Sequence, residues 1–164
     1  MTVQPIRVLF VCTGNICRSP MAEGVLRHCA DKAGLADRIK TDSAGTHDFH
    51  VGEAPDPRAQ KAAAQRGYDI SKLLGRQVIR RDFSEFDYVL AMDELNMRQL
   101  TRLCPAEQRH KLRLFMEFAY GNTVREVPDP YGGTAQDFET VLDLLESAAE
   151  GLLDHVRVQL EDEQ

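Results

Sequence analysis

Ile6-Arg7-Val8-Leu9-Phe10-Val11 runs without a break into Cys12-Thr13-Gly14-Asn15-Ile16-Cys17-Arg18-Ser19. The first six residues read as a buried strand. The next eight hold a glycine and an asparagine and open an amphipathic run, so the chain leaves a strand, curls and enters a helix. At such a junction backbone N–H groups can turn inward as a nest, and the helix N-terminus adds a field that favours negative charge. A phosphate fits there. Gly14 is free to take a positive φ, while Asn15 tolerates the left-handed region and can brace the turn through its side-chain amide. Arg18, six residues after Cys12, supplies a planar fork matched to two oxygens of a phosphoryl group. A free thiol ionises near pH 8.5, and a helix N-terminus, inward amides and a guanidinium lower that to about 3.5–7.5. Cys12 is therefore expected as a thiolate nucleophile. The plainer alternative, that Cys12 and Cys17 are small core residues, leaves the arginine spacing unexplained.

Downstream, short apolar runs alternate with amphipathic stretches. Ile6–Val11, Ile39–Ala44, Tyr88–Ala91 and Leu112–Phe115 read as strands, and Arg18–Gly34, Asp56–Gly67, Asp93–Leu103 and Thr134–Leu160 as helices. This alternation predicts a parallel sheet covered on both faces, with ligands beyond the carboxyl ends of its strands. In the last helix Phe138, Val141, Leu142, Leu145, Ala148, Leu152 and Val156 recur every three or four residues, as a core-facing stripe does. Met21, Val25 and Cys29 share a helix face, which makes Cys29 a core residue. Cys104, before Pro105, carries no assigned chemistry.

A chain of 164 residues with 43% apolar content suits one core and hence one domain, 1–164. A net charge of −6 without a basic stripe argues against nucleic acid as a partner. No apolar run approaches the roughly 20 residues that cross a bilayer, and Met1-Thr2-Val3-Gln4-Pro5 leads into the first strand without a secretion signal. A cytoplasmic enzyme with no membrane insertion is the expectation. Cysteines at 12, 17, 29 and 104 form neither a disulfide framework nor a zinc-ligand spacing, so no metal is expected. The tail Glu161-Asp162-Glu163-Gln164 reads as a solvated end.

The stretch Val8-Leu9-Phe10-Val11-Cys12-Thr13-Gly14-Asn15-Ile16-Cys17-Arg18-Ser19-Pro20-Met21-Ala22-Glu23 resembles the signature of the low-molecular-weight protein tyrosine phosphatases. Asp42-Ser43-Ala44-Gly45, Pro55-Asp56-Pro57-Arg58-Ala59, Arg76-Gln77, Asp87-Tyr88-Val89-Leu90-Ala91-Met92-Asp93 and Asp129-Pro130-Tyr131 resemble further family segments in the same order. The likeness covers nearly the whole chain, and the early C-x5-R-S with a late Asp-Pro-Tyr makes it specific. It implies a single flavodoxin-like α/β domain whose four-stranded parallel sheet, in order 2-1-3-4, carries helices on both faces. It also implies hydrolysis of phosphotyrosine in proteins, and of small aryl phosphates, through a phosphocysteine, without a cofactor and with inorganic phosphate as product. A bacterial member is implied, with a bacterial tyrosine kinase as the partner that makes its substrate.

The resemblance makes Cys12 the nucleophile, Arg18 the phosphate binder and Asp129 the general acid and then base. Read from the residues alone, Asp129 between Pro128 and Pro130 is equally a turn former, though the prolines could hold its carboxyl over a pocket. Thr13, Gly14, Asn15, Ile16 and Cys17 form the phosphate loop. Ser19 matches the hydroxyl that hydrogen-bonds the sulfur, and can also cap the helix. Asn15 and Ser43 match the brace of the loop. Phe49 and Tyr131 match rings that flank the substrate, although Phe49 also reads as an ordinary exposed loop aromatic. A deep slot between rings favours a phenyl phosphate over the shorter phosphoserine.

Four positions stand apart from the family pattern or stay open. Leu73 replaces a histidine found in many members, and Asp93 matches the acid that pairs with that histidine or else caps the next helix. Gly132 stands where some members have a second tyrosine, which removes regulation by phosphorylation of a tyrosine pair. Cys17 reads as loop packing, a catalytic helper or a redox partner of Cys12, and the resemblance favours a reversible protective disulfide. Rival functions are an arginine phosphatase, disfavoured by apolar Ile16 in the loop, and an arsenate reductase, disfavoured because no cysteine lies between Cys29 and Cys104. An inactive phosphopeptide-binding module is disfavoured by the intact Cys12, Arg18 and Asp129.

Overall fold

The computed structural model describes residues 4–121 and 124–163; the extreme N-terminus and Gln164, both read above as chain ends, lie outside the described residues. β1 (Ile6–Cys12) is central, with β2 (Ile39–Gly45) on one side, β3 (Tyr88–Ala91) on the other and β4 (Leu112–Leu114) beyond it. All pairings are parallel, and the order is β2-β1-β3-β4. This is the expected single α/β domain. Because helices cover both faces, the central strand is apolar almost throughout. Val8 and Phe10 face a core shared with α1 (Arg18–Lys32), α2 (Pro57–Gln65) and α5 (Ala135–Asp162). Leu9 and Val11 face a smaller core closed by Phe83 of α3 (Asp82–Glu85) and Leu100 of α4 (Glu94–Leu103).

The stripe anticipated in α5 is buried from Phe138 to Val156. Cys29 is half-buried against the first core, and Cys104 is buried in the second. No helix among the described residues is long and apolar enough to cross a membrane.

Element ends differ from the expectations for identifiable reasons. Asp56, Asp93 and Thr134 lie just outside their helices because their side chains cap them, accepting from the backbone N–H of Arg58, Asn96 and Asp137. The first two helices stop before Gly34 and Gly67, whose φ values of +73° and +89° reverse the chain. The last strand ends at Leu114, since Phe115–Phe118 winds into a 3-10 turn. α3 and the 3-10 turn Ala106–Lys111 were absent from the sequence reading; both are too short for helical periodicity to register.

The long helix meets the 3-10 turn Phe115–Phe118 at a glycine. A Cβ on Gly151 would stand 1.6 Å from the carbonyl oxygen of Phe118, which is backbone and cannot rotate away. Gly151→Ala should therefore destabilise the protein by about 1–3 kcal/mol, overpacking outweighing the roughly 1 kcal/mol gained in helix propensity. A lowered urea midpoint at unchanged slope would register it, and an unchanged midpoint would contradict the packing.

Candidate active site

Cys12 ends β1 opposite Gly45, the last residue of β2. The loop after it passes so close to that strand that a Cβ on Gly45 would lie 2.8 Å from the Thr13 carbonyl oxygen. The loop's outward carbonyls are tied down: Thr46 N–H donates to Cys12 O at 2.9 Å, His47 to Thr13 at 3.1 Å, Asp56 to Ile16 at 2.9 Å and Met21 to Cys17 at 3.1 Å. By contrast, no backbone N–H from Gly14 through Ser19 meets a protein acceptor among the described residues. Cys17, the N-cap of α1, also gives that helix no side-chain cap. Unsatisfied N–H groups and an uncapped helix N-terminus on one curl make a cradle for an anion.

Conformation within the curl differs from expectation at one point. Asn15 takes the positive φ, at 58°, and Gly14 does not. Gly14 is needed for a close approach instead, since a Cβ there would stand 3.1 Å from His50 Cδ2. Asn15 is buried and braces the turn: Nδ2 donates to Ser19 Oγ at 2.8 Å and Ser43 Oγ at 3.0 Å, while Oδ1 accepts from the Arg76 N–H at 3.0 Å. Ser19 lies inside α1, and its hydroxyl meets Cys12 Sγ at 3.0 Å rather than capping the helix.

Arg18 is 2% exposed. Its Nη1 donates to Asp93 Oδ2 at 2.7 Å and to the Val127 carbonyl at 3.0 Å, which uses both hydrogens of that nitrogen. Nε and Nη2 have no hydrogen-bond acceptor among the described residues, and the closest carboxylate oxygen to Nη2 is Asp129 Oδ2 at 3.8 Å. That edge is free for two oxygens of a ligand. Burial works against the Arg18 charge, but Cys12, Asp93 and Asp129 outweigh it and raise its pKa. Asp93 thus pairs with the arginine while capping α4. Leu73, at the position where its histidine partner was looked for, packs against the apolar core.

Segment 124–133 brings the last group. Val127 N–H donates to Met92 O at 2.8 Å, which fastens the segment to the end of β3. Asp129 follows, its Oδ1 accepting from the Tyr131 N–H at 3.1 Å in the turn that its flanking prolines suggested. Arg58 Nη1 holds the far end through the Gly133 carbonyl at 3.0 Å. A cavity of about 170 Å³ results, lined by Cys12, Thr13, Gly14, Ile16, Cys17, Arg18, Phe49, His50, Asp129 and Tyr131. Phe49 and Tyr131 stand at its rim, 69% and 62% exposed. Asn15, Ser19 and Ser43 support the loop from behind.

Comparison with known proteins agrees with this geometry. The family model described as low molecular weight phosphotyrosine protein phosphatase matches residues 7–162. The chain belongs to that family. A low molecular weight protein-tyrosine-phosphatase of Streptomyces coelicolor is 45% identical over 158 residues, covering 94% of this chain and 96% of the relative. A protein tyrosine phosphatase of Entamoeba histolytica, solved with Hepes in its active site, superposes with a TM-score of 0.89 at 39% identity, covering 96% and 97% of the two chains. Vibrio vulnificus Wzb in complex with benzylphosphonate gives 0.80 at 27% identity, covering 92% and 98%. The protein is accordingly a hydrolase of the tyrosine phosphatase class.

Several phosphatase-site neighbours escaped the sequence reading. His50 lines the cavity and hydrogen-bonds Glu53 at 2.6 Å. Asn96 is fully buried, donating to Thr13 Oγ1 at 3.2 Å, with its Oδ1 unpartnered among the described residues. Nothing in its local sequence signals that contact. Glu23 accepts from Ser43 Oγ at 2.8 Å, and the spacing of four residues in Ser19, Glu23 and Arg27 was a readable sign that one helix face points at the loop. The fixed φ of +79° at Gly132 explains why a second tyrosine would be strained there.

Asp93→Ala removes a helix cap and leaves a buried cation short of its anion. We expect a loss of at least about 2 kcal/mol in urea unfolding. Asp93→Asn, which keeps an acceptor for Asn96 N–H, should lose less; equal losses would show that the ion pair alone matters and the cap contributes nothing.

Proposed function

We propose that this chain hydrolyses phosphotyrosine in proteins, and small aryl phosphates, through a phosphocysteine formed on Cys12. The reading rests above all on one observation: a single cavity gathers the Cys12 sulfur, unbonded loop N–H groups, the open edge of Arg18 and the Asp129 carboxyl. The cradle and the guanidinium bind the phosphoryl oxygens and stabilise the charge that builds on them as the Cys12 sulfur attacks phosphorus. As the S–P bond forms and the P–O bond breaks, protonated Asp129 gives its proton to the departing phenolate. Water then attacks phosphorus and yields its proton to the Asp129 carboxylate. The S–P electron pair returns to Cys12 and inorganic phosphate leaves. Ser19, 3.0 Å from the sulfur, hydrogen-bonds the thiolate as it departs.

Specificity follows from the rim. Phe49 and Tyr131 offer rings on which a phenyl group can pack, and apolar Ile16 lines the cavity beside them. The benzylphosphonate bound by the Vibrio vulnificus relative also joins an aromatic ring to a phosphorus acid. Segregation of the chemistry in a reducing cytoplasm, opposite a bacterial tyrosine kinase, completes the reading.

Cys17 shares the loop but not the environment of a nucleophile. Burial, with Asp56, Cys12 and Asp129 beside it, pushes its thiol well up from the ordinary range, while Arg58 pulls it down. It is a resolving partner here: oxidation of Cys12 to sulfenic acid is followed by attack of the Cys17 sulfur, forming the S–S bond and releasing water. Peroxide-treated wild type should then regain activity with a thiol reductant, whereas Cys17→Ala should not; equal irreversible inactivation would exclude the disulfide.

Cys12→Ser should retain vanadate binding with no measurable turnover. Asp129→Ala should lose about 10²–10⁴-fold in kcat on phenyl phosphate and much less on a substrate with a good leaving group such as p-nitrophenyl phosphate. Uniform losses across leaving groups would remove Asp129 from the acid role. Phosphotyrosine peptide should be turned over well ahead of phosphoserine peptide and phosphoarginine, and the reverse order with phosphoarginine would redirect the substrate assignment.

A further inference from the structure

Glu23 lies one turn after Ser19 and one turn before Arg27 on α1, with its side chain 4% exposed. Both of its oxygens accept: Oε1 from Ser43 Oγ at 2.8 Å, and Oε2 from Arg27 Nη2 at 2.5 Å. A hydroxyl has one proton, so Ser43, having given it to Glu23, can only accept from Asn15 Nδ2, at 3.0 Å. The other hydrogen of that amide goes to Ser19 Oγ at 2.8 Å. Ser19 keeps its own proton, with Cys12 Sγ at 3.0 Å as the closer acceptor and the Ala44 carbonyl at 3.4 Å. With Cys12 as the thiolate of the proposed reaction and Glu23 as a carboxylate, the direction of each bond is set from the two ends, the Asn15 amide feeding one hydrogen to each serine.

We propose that Glu23 is a positioning residue of the reaction, its carboxylate holding Ser43 as an acceptor so that Asn15 stays turned and the Ser19 proton is left for the Cys12 sulfur. This deepens the reading of Cys12 as nucleophile and rests on it. The step served is breakdown of the phosphocysteine: water adds to phosphorus, Asp129 takes its proton, and the S–P pair remains on a sulfur hydrogen-bonded by Ser19.

Two acceptors are what the position demands. A glutamine there would turn its NH₂ either toward the Arg27 guanidinium or toward Ser43, a donor against a donor in the first case and a reversed chain in the second. Burial pushes the Glu23 carboxyl up from its ordinary range, and the Ser43 hydroxyl and Arg27 draw it back. Leu73 packs in the apolar core and offers no proton. Arg27 is the cation that Glu23 meets among the described residues, and it is itself 51% exposed beside a surface cleft of about 550 Å³.

The test is Glu23→Gln, Ser19→Ala and the double variant, assayed with p-nitrophenyl phosphate in the steady state and by stopped flow. Glu23→Gln should lower kcat about tenfold, the scale of one misdirected charge-assisted hydrogen bond. kcat/KM, which reports only the steps up to release of the phenolate, should change little, so that KM falls with kcat, and a burst of p-nitrophenolate should grow toward one equivalent as the intermediate accumulates. Added to Ser19→Ala, Glu23→Gln should cost nothing further, because both act on the same proton. An unchanged kcat and burst in Glu23→Gln, or a full additional loss in the double variant, would overturn the proposal. Far-UV circular dichroism checks that the variant folds, and if it does not, Ser43→Ala takes its place in the same cycle. Turnover surviving in Cys12→Ser would instead remove the underlying reading and leave this cycle without meaning.

Discussion

A guanidinium shut away from water has to be met by oxygen, and the interior meets Arg18 on one side only. Asp93 and the Val127 carbonyl occupy Nη1, while Nε and Nη2 stay open to the cavity. Leaving the cation wholly unpaired would cost several kcal/mol, and pairing it on every side would leave nothing for a phosphate. The compromise depends on the sheet. β3 lies next to β1, so the helix cap at Asp93 and the segment fastened to Met92 both arrive beside the loop that β1 launches. The segment around Asp129 is thus positioned by the same contacts that keep the arginine buried.

The loop is held through the carbonyls of Cys12, Thr13, Ile16 and Cys17, while its N–H groups from Gly14 through Ser19 meet no protein acceptor among the described residues. Donors fixed before the ligand arrives need no reorganisation when charge develops, which is the larger part of what such a cradle can contribute to a rate. Gly45 permits the strand to pass close behind, Gly14 makes room for His50, and Asn15 accepts the left-handed turn while its amide stitches two serines together. Two sulfurs in this loop consequently live in different fields. Cys12 faces the guanidinium and a hydroxyl, whereas Cys17 is buried among carboxylates that oppose its ionisation.

Behind the loop, polarity runs inward from a carboxylate that does not line the cavity. Ser43 and Asn15 carry it to Ser19, and Arg27 ties it to the surface. Leu73 stays out of this network and packs against the apolar core.

The order of residues along the chain determined much of this by itself. A strand followed by Cys12-x5-Arg18-Ser19 specifies a phosphate loop because backbone curl, helix start and arginine reach are local matters, decided within a few residues. Helix extents were legible for the same reason, erring where a cap or a positive-φ glycine trimmed them and at the end of the last helix, which runs two residues past Leu160. What no local pattern could decide was which oxygens would meet Arg18, that Asn96 would brace Thr13, or that Glu23 would stand behind Ser43. Asp93 shows the difference well, since its cap is a three-residue contact and its ion pair spans 75 positions. Those contacts exist because the order of the parallel strands brings distant segments to one edge of the sheet, and buried polar groups must then find their partners among whatever the fold delivers.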